Sequence, residues 1–131
     1  MKTFSLNTFQ EQVDDVLIRH RSILDILTKL QESNAKMNRA VAKSATSCGC
    51  ITLHVKKQEI LEEVSYSELK GYMSDHTSGA LCDVCREKVE QEIATNLFYV
   101  SALCNLFNIN VEGVLQNHQG QLKTLGKYGL L

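Results

Sequence analysis

From position 8 the chain reads Thr8-Phe9-Gln-Glu-Gln-Val13-Asp-Asp-Val16-Leu-Ile-Arg19-His20-Arg21-Ser22-Ile23-Leu-Asp25-Ile-Leu27-Thr-Lys-Leu30-Gln-Glu-Ser33-Asn34-Ala-Lys36-Met37-Asn-Arg39-Ala-Val41-Ala-Lys43-Ser44-Ala-Thr-Ser47, without one Gly or Pro. Within it Phe9, Val13, Val16, His20, Ile23, Leu27, Leu30, Asn34, Met37 and Val41 follow at alternating spacings of four and three, all apolar except His20 and Asn34. That is a heptad stripe, and it predicts a single long helix over about 8–45. Asn7 or Thr8 would cap its N-terminus, and Lys36, Arg39 and Lys43 sit toward the negative end of its dipole. A break at Arg19-His20-Arg21 is the competing reading, because Ser22-x-x-Asp25 has the form of a capping box. The two polar members of the stripe either specify register or mark its drift to the surface.

Ser44 to Cys50 ends this helix, since Gly49 can take positive φ and the small residues support a helix poorly. Beyond it Ile51, Leu53 and Val55 alternate with Thr52, His54 and Lys56, the pattern of a short half-buried strand. Ser65-x-x-Glu68 opens a short helix reaching about Ser74, and Thr77-Ser78-Gly79 reads as a loop. Val89, Ile93, Leu97, Val100, Cys104 and Phe107 then mark a second core helix, beginning near Cys82 or Asp83 and ending before Asn108-Ile109-Asn110. Asn110 caps a last helix containing Val111, Val114 and Leu115. Gly120, Gly126 and Gly129 read as a loosened tail over 120–131, whose apolar Leu130-Leu131 end is suited to docking on a neighbour. With no internal repeat, one all-α domain over 1–131 is expected, its region 47–85 an insertion.

The composition agrees. At 131 residues, 44% hydrophobic and 22% charged, the chain can build one core. It has no Trp or Pro and few aromatics, so that core is aliphatic and suited to helices. A net charge of −1 provides no electrostatic footprint for nucleic acid. No apolar run is long enough for a membrane span, and the first nine residues lack the pattern of a signal peptide. A cytoplasmic address without a membrane partner is the resulting expectation.

Five cysteines depart from the ordinary: Cys48, Cys50, Cys82, Cys85 and Cys104. Cys48-Gly49-Cys50 and Cys82-Asp83-Val84-Cys85 are two clips, one after the first long helix and one at the start of the second. In a reducing compartment, paired thiols at such spacing are ligands or redox centres more often than disulfides. Four thiolates delivered as two pairs suit tetrahedral Zn²⁺ with no open coordination position. Structural zinc on Cys48, Cys50, Cys82 and Cys85 is therefore the expected cofactor. A dithiol–disulfide switch at Cys82 and Cys85, an iron–sulfur cluster on the same four thiolates, and free thiols without a joint role stay open. So does a Cys₃His site in which His54 or His76 replaces one cysteine. Cys104 lies on the second apolar stripe and reads as a small core hydrophobe.

At Leu30-Gln-Glu-Ser-Asn-Ala-Lys-Met-Asn-Arg-Ala-Val41, and again from Val89 to Cys104 and on through Asn108 to Leu115, the chain resembles the MazG family of nucleoside triphosphate pyrophosphohydrolases. The resemblance implies an all-α, oligomeric bundle with two long antiparallel helices, which in that family hold Mg²⁺ between ExxE and ExxD motifs. Superposing the motifs puts Ser33 and Lys36 where the family has two glutamates, and Glu92 and Thr95 where it has Glu and Asp. One carboxylate of four survives, and Lys36 would place a positive charge in a site meant for a hard cation. Glu32 is offset by one residue, about 100° around the helix. The Thr-Ser-Cys-Gly-Cys-Ile segment at 46–51 and the Leu-Cys-Asp-Val-Cys segment at 81–85 are also similar to an uncharacterised bacterial protein family.

The resulting expectation is a degenerate MazG-like module that is not an enzyme, is stabilised by zinc, and acts through homodimers or higher oligomers and through binding of a partner protein or nucleotide. The alternatives are a pyrophosphohydrolase with a rearranged Mg²⁺ site on Glu92, Glu32 and Glu90, and a thiol redox or zinc sensor. The other acidic pairs, Asp14-Asp15, Glu59-x-x-Glu62 and Glu87-x-x-Glu90, read as solvated helix faces.

Overall fold

The computed structural model describes residues 3–126. Ser5, rather than Asn7 or Thr8, caps the first helix: its Oγ accepts the Thr8 N–H at 3.0 Å. Helix α1 spans Leu6–Val16 and α2 spans Ile23–Lys43. The unbroken helix over 8–45 is thus corrected to two helices. Arg21 explains the break, because its guanidinium donates to the carbonyls of Asp14 and Leu17, and to the Asp14 carboxylate at 2.7 Å. Those donors satisfy carbonyls that the next helical turn would otherwise have to satisfy. Ser22 starts α2, its Oγ accepting the Leu24 N–H and its carbonyl the Ile26 N–H.

Among the described residues the remaining elements are α3 (Asp83–Leu106), α4 (Val111–Leu125) and two short strands, β1 (Ile51–Leu53) and β2 (Thr77–Gly79). The protein is mostly helical. Asn110 caps α4 as expected, accepting the Gly113 N–H at 2.8 Å. That helix runs through Gly120 instead of loosening there, and Leu130-Leu131 lies outside the described residues. Thr77-Ser78-Gly79 is a strand rather than a loop, pairing antiparallel with β1 so that Ile51 faces Gly79 and Leu53 faces Thr77. The helix expected over 65–74 is reduced to a 3₁₀ turn at Leu69–Gly71.

The chain forms two compact units, one of residues 1–37 with 91–131 and one of residues 38–90. In the first, Val13, Leu17, Ile26 and Ala102 make the core, with Phe9, Leu30, Phe98, Tyr99 and Leu103 packed against it. Phe98 and Tyr99 meet edge to face with centroids 5.1 Å apart. Gln10 is buried and ties α1 to the start of α4: its side chain donates to the Ile109 carbonyl at 2.7 Å and accepts the Val111 N–H at 2.9 Å. Asn96 links α3 to α2 by donating to Ser33 Oγ and Asn34 Oδ1.

The face of α3 that builds this core is not the expected one. Ala102 lies nine residues beyond Ile93, which at about 100° per residue is the opposite side of the helix. Of the expected stripe, Val89 is buried, Ile93, Leu97 and Phe107 are exposed, and Val100 and Cys104 are partly buried. Ala102 is buried there beside Val13, Leu17 and Ile26.

In the second unit, Gln58 and Ser74 brace the connection between the strands. Gln58 Nε2 donates to the Ser74 carbonyl at 2.6 Å, and Gln58 Oε1 accepts the Ser74 N–H at 2.9 Å. Asp75 accepts both the N–H and the hydroxyl of Thr77, which holds its carboxyl below the usual range.

Candidate metal centre

The first clip is positioned by the way α2 ends. Its last turn widens into a π-helical turn over Ser44–Cys48, where buried Ser44 donates to the Ala40 carbonyl at 2.9 Å. Gly49 follows with φ +81°, a conformation glycine adopts without cost, and its N–H returns to the Ser44 carbonyl at 2.9 Å. The same carbonyl faces Cys50 Sγ at 3.6 Å. One reversal thus turns both Cys48 and Cys50 to the same side.

The second clip is delivered by the strand pair. β2 lies against β1 with Gly79 opposite Ile51, and the next residues lead into α3, which starts at Asp83. Cys82 precedes that helix and accepts the Cys85 N–H on its sulfur at 3.4 Å. This is the arrangement expected of a CxxC clip at a helix start, where free amides favour thiolate. The amide hydrogen bond from Cys85 lowers the Cys82 thiol to about 7. Although a hydrogen bond to Ser44 favours its thiolate, Cys85 is pushed up to about 12 by the three neighbouring thiols, Cys82 foremost.

The four sulfurs of Cys48, Cys50, Cys82 and Cys85 all lie within 4.8 Å of one another. None is in a disulfide, and Cys48 Sγ and Cys82 Sγ are 3.8 Å apart. A tetrahedron with metal–sulfur bonds of about 2.3 Å has edges of about 3.8 Å, whereas a disulfide closes to about 2.05 Å. Four soft donors at this spacing can hold a metal ion, and the set leaves no gap for a histidine. His54 and His76 are not in the cluster. His76 instead stands at the entry to β2 with φ 59°, its backbone carbonyl accepting the His54 N–H at 2.9 Å.

Ser44 and Gly79 are the site residues that sequence reasoning missed. Ser44 carries no motif, and its role rests on a backbone carbonyl that any residue possesses. Gly79 was legible only as a turn former, although a β-carbon there would strike the Cys50 carbonyl.

The residues singled out through the MazG resemblance form no comparable donor set. Ser33 is buried and donates to the Leu30 carbonyl, Lys36 pairs with Glu32 at 2.9 Å, and Thr95 donates to the Gln91 carbonyl. Glu32 is held below, and Lys36 above, its ordinary value by that mutual hydrogen bond. A hollow of about 610 Å³ lined by Asn7, Gln10, Asp14 and Asn105 lies elsewhere in the same unit. Several of its amides are engaged in structure: Asn7 donates to Glu112 and accepts from Asn110, and Asn105 donates to the Gln10 carbonyl.

Among the described residues no single helix is long and apolar enough to cross a membrane. Compared with family models, curated proteins and solved structures, the chain matches none.

Proposed function

We propose that this chain is a non-catalytic helical module of MazG-like fold, stabilised by structural zinc, that acts through self-association and through binding of a partner protein or nucleotide. The convergence of four cysteine sulfurs within 4.8 Å carries the zinc assignment. Zinc prefers four thiolates in a closed tetrahedron, and such a site contributes directly to folding because no preformed site exists in the unfolded chain. Here it would clamp the turn after α2 to the start of α3. The unit of residues 38–90 has few buried apolar side chains of its own, so a cross-link of this kind supplies what its core does not.

The MazG-like fold is supported by the pairing of the two segments that carry the resemblance, joined where Asn96 bridges Ser33 and Asn34. Absence of catalysis is supported by what occupies the positions of the family's carboxylates. Ser33, Lys36 and Thr95 offer a hydroxyl, an ammonium and a hydroxyl where Mg²⁺ would require anionic oxygens.

Metal analysis of protein purified under reducing conditions tests the reading. One zinc per chain, with a melting temperature that falls on chelation, is the expected result. Iron in place of zinc, or metal-free protein of unchanged stability, refutes the clamp. Pyrophosphate release from nucleoside triphosphates with Mg²⁺ or Mn²⁺ would refute the non-catalytic assignment if Glu92→Ala abolished it.

A further inference from the structure

We infer that Cys48 and Cys82 form an oxidation site in which a peroxide joins the two sulfurs as a disulfide between the clips and so releases the zinc. The inference rests on the proposed zinc clamp and names how that clamp opens.

The four sulfurs are not equally accessible. Cys48 is exposed, whereas Cys50, Cys82 and Cys85 are partly buried. Cys50 Sγ lies against the Ser44 carbonyl at 3.6 Å, and Ser44 itself is buried. With zinc bound all four sulfurs are thiolates, so access rather than loss of a proton decides which one an oxidant in water meets first. That sulfur is Cys48. A cysteine that responds to oxidants is solvent-accessible and stands beside a second cysteine able to resolve it. Cys82 Sγ is 3.8 Å from Cys48 Sγ, at the start of α3, and both belong to the unit of residues 38–90. Closing that gap to the length of a disulfide takes about 1.7 Å, shared between two side chains.

The chemistry balances with hydrogen peroxide as the only oxidant. The Cys48 thiolate attacks one peroxide oxygen, the O–O bond breaks, and hydroxide leaves, so that Cys48 becomes a sulfenic acid. The Cys82 thiolate then attacks the Cys48 sulfur. The S–S bond forms, the S–O bond breaks and a second hydroxide leaves. The two sulfurs together give up two electrons, and one peroxide is reduced to two hydroxides. Zinc is left with Cys50 and Cys85 alone, half of the closed tetrahedron it prefers, and departs.

The disulfide takes over the work of the metal. It still ties the turn after α2 to the start of α3, across 34 positions of the chain, and the pairing of Ile51 with Gly79 lies between the two sulfurs. Oxidation therefore exchanges a zinc clamp for a covalent one without opening the strand pair. A cellular dithiol reverses it, supplying two electrons and two protons and becoming a disulfide itself.

The test is hydrogen peroxide added to the zinc-loaded full chain, with released zinc read by a chromogenic chelator and thiol pairing read by mass spectrometry. Trypsin cuts after Lys56, Lys57 and Lys70, so a disulfide between the clips links two peptides and one within a clip does not. Fragmentation of the linked pair assigns the sulfurs. The expected result is one zinc released per chain, a Cys48–Cys82 disulfide, and recovery of zinc binding after dithiothreitol. Cys104→Ser, outside the cluster, is expected to release zinc at the wild-type rate, which shows that the fifth thiol is not the partner. Zinc retained under peroxide overturns the proposal, as does a Cys82–Cys85 disulfide, irreversible oxidation to sulfinic acid, or release that Cys104→Ser abolishes. Metal content before oxidation separates the two readings: a chain that never carried zinc defeats the clamp and the switch together, whereas a zinc-loaded chain that resists peroxide defeats the switch and spares the clamp.

Discussion

The α-carbon of Gly79 lies so close to the Cys50 carbonyl that a β-carbon there would sit 2.5 Å from the oxygen, and Gly79 also holds φ at +86°. This contact holds the strand that leads to the second clip against the backbone of the first. Gly79→Ala is therefore expected to destabilise the zinc-loaded protein by about 1 to 3 kcal/mol and to weaken zinc retention against a chelator. Gly120→Ala is the matched comparison, because it lies inside α4 with nothing within 4 Å of the new methyl. It should stabilise by up to about 1 kcal/mol. Thermal melts of both variants check the pair.

Removal of one ligand should cost about as much as removal of the metal. Cys82→Ser is expected to abolish stoichiometric zinc and to cost several kcal/mol, on the order of the metal's contribution to folding. Chelation of the wild type should lower the melting temperature in the same direction and be reversed by added zinc. Chelation without effect on the melt would refute the clamp.

The thiols should differ in reactivity once metal is removed. Cys82, lowered to about 7 by the Cys85 amide, is mostly thiolate at pH 8, whereas Cys85, pushed up to about 12, keeps its proton. Limited alkylation of metal-free protein read by mass spectrometry should label Cys82 first and Cys85 last. Zinc binding at pH 8 should accordingly draw almost no proton from Cys82 and a full one from Cys85. Affinity should fall as the pH is lowered through 7, since Cys82 must then also be deprotonated. Calorimetry in buffers of different ionisation enthalpy counts the protons.

Gln10 spans two elements with one buried amide, accepting the Val111 N–H and donating to the Ile109 carbonyl. Gln10→Ala leaves both backbone groups without a protein partner and is expected to cost about 2 to 3 kcal/mol in urea unfolding, with zinc content unchanged.

His76 holds φ at 59°, and its buried Nε2 has no hydrogen-bond partner among the described residues. Asn tolerates that backbone region better, so His76→Asn should raise stability by up to about 1 kcal/mol. A lower melting temperature would mean that the imidazole is held by a contact worth more than the strain.

The primary sequence by itself located most of the helical segments and named the four cysteines that cluster. Uninterrupted runs without Gly or Pro, the Asn110 cap and the heptad spacings locate helical segments because capping and periodicity are local properties. The clip spacings likewise named Cys48, Cys50, Cys82 and Cys85, since CxC and CxxC constrain sulfurs within a few residues of each other. Tertiary structure alone decided the rest. The break after Val16 depends on Arg21 reaching back to two carbonyls, a choice between nearly equal local options. Thr77–Gly79 became a strand only because β1 was there to pair with it. Periodicity reports that α3 has a stripe at Ile93, Leu97 and Phe107, but not which neighbour that stripe faces. The core took the opposite side, where Ala102 is buried, and left Ile93, Leu97 and Phe107 exposed.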